Sequence, residues 1–172
     1  MTSFEDQEQS VLDDLADRFM AALNAKDHGN VDKAEELLLD ILKIEPRLPE
    51  PHLELARLLL DTERTRDAEP HAREAIAHLR AGGQWIDEVP ENVLQALAHA
   101  TLAEILRRQA DEDDVIFGDP AAFKALVDEA KLHFARASEL DPSDAYSSYH
   151  AYFLGPAPGQ KPIVPAIESD ED

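Results

Sequence analysis

Seven histidines and no cysteine leave imidazole and carboxylate as the donors with which this chain can hold a metal ion. His71 and His78 lie seven positions apart and no His-Glu-x-x-His occurs. Two imidazoles reach one ion from one helix face when four residues separate them, so this spacing predicts no histidine metal site. Asp111-Glu112-Asp113-Asp114 collects the oxygen ligands that hard cations prefer. It lacks the Asp-x-Asp-x-Asp-Gly framework and closing Glu of a calcium loop, and reads as a solvated acidic loop. The chain has no glycine-rich phosphate loop, no nucleophile elbow and no carboxylate pair set among apolar residues. No enzyme and no cofactor are expected.

The whole chain carries 37 acids against 16 bases, a formal charge of −21. Nucleic acid and anionic membrane surfaces must be met by Lys and Arg, so both are excluded as partners. The acidity keeps the chain soluble and favours basic partners. Hydrophobic residues are 44% of the chain and aromatics only 6%, which predicts a core of Leu, Ile and Ala. No apolar run is long enough to span a membrane. Met1 to Asp17 carries six acids and no Lys or Arg, unlike a signal peptide, so a cytoplasmic location is expected.

Helical periodicity dominates. Val11, Leu12, Leu15, Phe19, Met20 and Leu23 fall on one face of a first helix that Ser3 can cap. Gly29 marks a turn, Val31 to Ile44 a second helix, and Leu48 to Pro51 a connector. A helix from near Pro51 is followed by one from Arg66 to Leu79, in which Pro70 is expected within the first turn. A long connection holds Trp85, Ile86 and Val89. Further helices are expected to about Gln109 and, after an acidic loop holding Phe117, from Pro120 to Leu140, capped by Asp119. Ala145 to Leu154 is expected as a short last helix docking through Tyr146, Tyr149, Tyr152 and Phe153, and residues 155–172 as a disordered tail. An echo runs through these helices: Ala34 and Ala68, 34 positions apart, and Ala130 each open a similar stretch. A fixed period of this length means stacked helix pairs, since one pair cannot bury its own apolar face. Such stacks usually hold other proteins.

These residues resemble the tetratricopeptide repeat family. His52, Leu55, Ala56 and Leu59 match the first helix of its repeat, as do His99, Leu102, Ala103 and Leu106. Ala34, Leu38, Ile41 and Pro46 match the second helix, as do Ala68, Ala75 and Ile76, and Ala130, Phe134, Ala137 and Pro142. Ala72 stands where a large residue is expected and Arg80 where Pro is expected. The stretch from Ala103 to Ala130 is longer than that from Ala56 to Ala68. The resemblance implies an all-α, right-handed α-α superhelix of about three helix pairs, near residues 15–48, 49–82 and 90–142. A capping helix at 145–154 would complete a domain over residues 1–154.

In this family the first helix of each repeat lines a concave groove. The matching positions are Glu50, Leu53, Glu54, Arg57 and Asp61, then Leu97, Thr101, Glu104, Arg107 and Arg108, with Asp17 and Arg18 in the first repeat. Acids at Glu50 and Glu54 oppose a carboxylate-terminated ligand and suit a segment bearing Lys or Arg. The implied function is a non-catalytic adaptor or scaffold that binds a basic or amphipathic segment of another protein. The alternative is a chaperone holding an apolar client, as in the similarly sized class two type III secretion chaperones. Trp85 and Phe117 either fold onto the core or stand out as aromatic anchors.

Overall fold

The computed structural model describes residues 3–144. The expected capping helix, its tyrosines and the acidic tail lie outside the described residues. Every regular element among the described residues is an α-helix. They are α1 (Phe4–Asp27), α2 (Val31–Ile44), α3 (Pro49–Asp61), α4 (Thr65–Arg80), α5 (Glu91–Ala110), α6 (Asp113–Ile116) and α7 (Pro120–Leu140). Each packs on its neighbours in sequence: α1 on α2, α2 on α3, α3 on α4, α4 on α5, and α5 on α7. No described helix is long and apolar enough to cross a membrane.

Local chemistry sets the helix ends. Ser3 and Asp6 form a capping box over α1. The Asn30 side chain caps α2, and Asp119 Oδ1 accepts from the Ala121 amide at 3.0 Å to cap α7. Three details depart from expectation. Helix α3 begins at Pro49, because a proline in the first turn gives up an N–H that has no helical acceptor. Pro70 lies in the second turn of α4, so the Arg66 carbonyl has no i+4 amide to accept from. The acidic loop contains α6, a single helical turn.

The turn after α1 recurs 34 positions later, bond for bond. Asn30 N–H donates to the Ala25 carbonyl at 2.8 Å, and Arg64 N–H to that of Leu59 at 2.8 Å. Gly29 has φ 77°, and Glu63, its repeat equivalent, has φ 62°. A left-handed conformation costs a residue with a Cβ about 1 kcal/mol, which glycine avoids. Glu63→Gly is therefore expected to raise stability by about 0.5–1 kcal/mol, read as an upward shift in the urea midpoint.

The core is aliphatic. Leu15, Ile41, Leu53, Leu55, Leu102, Ile105, Leu106 and Phe134 are its largest fully buried non-proline side chains. Every helical residue that carries the repeat resemblance is buried, including Ala34, Ala56, Ala68, Ala103 and Ala130. Small side chains there let neighbouring helices approach closely. On α1 the buried stripe is Leu15, Phe19 and Ala22, while Val11 and Met20, expected on the same face, are exposed. Helix α1 packs chiefly on α2, and one neighbour covers a narrower stripe than two would.

Candidate functional site

Helices α1, α3 and α5 and the connection between α4 and α5 enclose a cleft of about 210 Å³. Phe19 and Leu23 of α1, Leu53 of α3, and Leu94 and Leu97 of α5 line it. Ile86 and Val89 of the connection close one side, and Glu50 and Glu54 complete the lining. Of the expected groove residues, the fold brings Glu50, Leu53, Glu54 and Leu97 together here.

Glu50 organises the cleft. It lies in the first turn of α3 and is 4% exposed. Its Oε1 accepts from the backbone amides of Trp85 and Ile86, both at 2.8 Å. Gln84 shapes the same segment by donating Nε2 to the Ile86 and Val89 carbonyls, each at 2.7 Å. Trp85 packs onto Phe19 with ring centroids 5.8 Å apart. The long connection is thus a wall pinned to α3 and α1. Glu50 Oε2 is buried and has no hydrogen-bond partner among the described residues. A buried carboxylate oxygen without a donor is costly, and a ligand N–H would relieve that cost.

Glu54 is compensated locally. Lys26 reaches its Oε2 at 3.1 Å and Arg57 its Oε1 at 3.0 Å. Asp61 is exposed at the end of α3. The remaining expected positions on α5 do not line the cleft. Thr101 is buried, donating its hydroxyl to the Leu97 carbonyl at 2.8 Å. Glu104 is buried and takes Arg107 at 2.8 Å and Arg108 at 2.9 Å, while Arg108 also reaches the Leu60 carbonyl at 3.3 Å. Burying a carboxylate requires such partners, so this end of the surface is packed shut around its own ion pairs. On α1, Asp17 is exposed and Arg18 pairs with Asp14 at 3.0 Å.

The two loop aromatics part company. Trp85 is half-buried against the core, so it is a packing residue and not the exposed anchor that was one expectation for it. Phe117 is 84% exposed beside α6. The acidic loop is occupied by the chain's own cations: Arg66 bonds Glu112 at 2.9 Å and Asp114 at 2.7 Å, and Arg107 bonds Asp111 at 3.2 Å.

The histidines form pairs that spacing along the sequence hides. His52 Nδ1 lies 3.1 Å from His71 Nδ1, and His99 Nδ1 lies 2.8 Å from His133 Nδ1. The two pairs occupy equivalent repeat positions. One ring of each pair must donate and the other accept, so neither pair accommodates two charged rings. Burial lowers the pKa of His52 and of His71. His99 falls to about 4, through burial first and then the nearby charges of His133, Arg80 and Arg136. His133 is lowered chiefly by burial, with Glu129 opposing.

The sequence points to Glu50, Leu53, Glu54 and Leu97 but not to Phe19, Leu23, Ile86, Val89 and Leu94 as the rest of the cleft. The available signal was the extra length of the segment around Trp85. No family model matches the chain and no curated protein matches it.

Proposed function

We propose that the chain is a tetratricopeptide-type interaction module, a right-handed superhelix of helix pairs that acts without catalysis as an adaptor in the cytoplasm. The architecture is supported by the turn that recurs after α1 and α3 and by the buried small residues at matching positions. The binding reading is carried by one observation: an apolar cleft of about 210 Å³ lined in part by Glu50, whose buried Oε2 has no hydrogen-bond partner among the described residues. Its complement is a partner segment that places an apolar side chain between Leu53 and Leu97 and a Lys or Arg toward Glu50. The acidic surface raises the encounter rate with such a segment.

A displayed peptide library tests this. The expected selection pairs an aliphatic or aromatic anchor with an adjacent Lys or Arg. Binding of selected peptides should weaken as salt rises. Leu97→Glu, a half-buried substitution that keeps the helix, should weaken binding by about tenfold or more, since it buries a charge against the ligand. Peptides that are purely apolar and bind independently of salt would favour the alternative, a chaperone that holds an apolar client. Binding unchanged in a folded Leu97→Glu variant would remove the cleft as the site.

A further inference from the structure

We propose that His52, Glu74 and His78 bind one divalent transition-metal ion of the zinc class between α3 and α4. One donor atom from each of the three lies within 4.8 Å of the other two. Glu74 and His78 stand four residues apart on α4, so both face the same way, and His78 Nε2 lies 3.0 Å from Glu74 Oε2. His52 comes from α3, with its ring stacked on His78 at a centroid distance of 5.8 Å and an interplanar angle of 20°. Its Nε2–H donates to the Pro46 carbonyl at 2.8 Å. A ring N–H anchored on a backbone carbonyl is how proteins orient a ligating imidazole, and it leaves the second nitrogen unprotonated. Two imidazoles and one carboxylate suit Zn²⁺, Ni²⁺ or Cu²⁺ and leave further coordination positions to water.

Coordination asks for small movements. Ligand atoms about 2.1 Å from a tetrahedral ion sit roughly 3.3 Å apart. The Glu74–His78 contact is already that short, and the Glu74 side chain is exposed and free to rotate. The ion replaces the contact between His78 and Glu74 and displaces His71, whose Nδ1 lies 3.1 Å from the ligating Nδ1 of His52.

The chain supplies its own control. His99 and His133 repeat the His52–His71 pair. Arg136 stands where Glu74 does in the earlier repeat, and Leu140 where His78 does. Two positive groups, Arg80 and Arg136, act on His99 in place of a carboxylate. The second pair therefore lacks two of the three donors, and the charges acting on its His99 are repulsive to a cation. One ion per chain is expected.

Isothermal titration of the metal-stripped full chain with zinc chloride tests this, with bound zinc counted after gel filtration. The expected result is one ion per chain, lost or weakened by roughly tenfold or more in Glu74→Gln and His78→Ala. Both residues are at least partly exposed, so these variants keep the fold. His133→Ala should leave stoichiometry and affinity unchanged. Two-dimensional NMR of the imidazole nitrogens should show His52 and His78 signals moving on zinc addition. Absence of zinc binding overturns the proposal. So does binding that survives both α4 variants, which would place the ion on the acidic surface.

Discussion

Between pH 7 and pH 4 the chain is expected to lose about 3 kcal/mol of stability through His99 and His133. In the folded chain the His99 pKa is lowered from 6.5 to about 4. The unfolded chain keeps the ordinary value, so below about pH 6.5 it binds a proton that the folded chain refuses. The stability is fully present above about pH 6.5 and drains away as pH falls toward 4. His133 is lowered too, so the proton uptake belongs to the pair and not to one ring. Every group acting on His99 pushes the same way: burial in α5, His133 and Arg136 from α7, and Arg80 from α4. Urea midpoints at pH 7, 6, 5 and 4.5 should decline for the native chain. They should decline less steeply for His99→Leu combined with His133→Leu, which fills the volume without a titrating group, the remaining slope belonging to His52 and His71, whose pKa values burial also lowers. An equal decline in both chains would assign the acid sensitivity to groups outside this pair, His52 and His71 first.

Phe134→Ala is expected to cost about 3–5 kcal/mol, the range for deleting a fully buried ring whose surroundings cannot collapse. Phe134 is 0% exposed and lies on α7 where that helix packs against α5, the most extensive helix pair in the fold. Differential scanning calorimetry should register a fall in Tm of roughly 10–15 °C. The equivalent position in the preceding repeat is Ala72, also 0% exposed. At that place the aliphatic volume comes from neighbours, so Phe134→Ala does not simply recreate a tolerated arrangement. A loss below about 1 kcal/mol would mean that α7 repacks onto α5 without its ring.

The helices and their order are legible because most ends carry their own chemistry: Ser3, Gly29 and Asp119 act within a few residues of themselves. Pro70 is not legible in the same way, since a proline in a second turn is held by the tertiary packing of Ala68, Ala72 and Ala75 against local preference. Half of the cleft can be read from repeat register, because Glu50, Leu53, Glu54 and Leu97 follow helical phase. The other half comes from a loop and from α1, and no periodicity reports which helix a loop will lean on. Thr101 and Glu104 share the helical phase of Leu97 but are buried, Thr101 bonded to the Leu97 carbonyl and Glu104 held by Arg107 and Arg108, contacts that phase alone does not report. The histidine pairs are invisible for a related reason: 19 positions separate His52 from His71 and 34 separate His99 from His133, and only the helix pairing brings them together.

Two amides of the cleft wall, those of Trp85 and Ile86, end on one oxygen of Glu50. That wall can lift from α3 by releasing a single carboxylate, while each helix keeps its own ladder intact. Deuterium should therefore enter these two amides faster than it enters the helix interiors, through a local opening and not through global unfolding. A partner seated between Leu53 and Leu97 would slow that exchange before it changed the exchange of any helix. The Trp85 and Ile86 protons are thus a built-in reporter of occupancy, readable without labelling the partner.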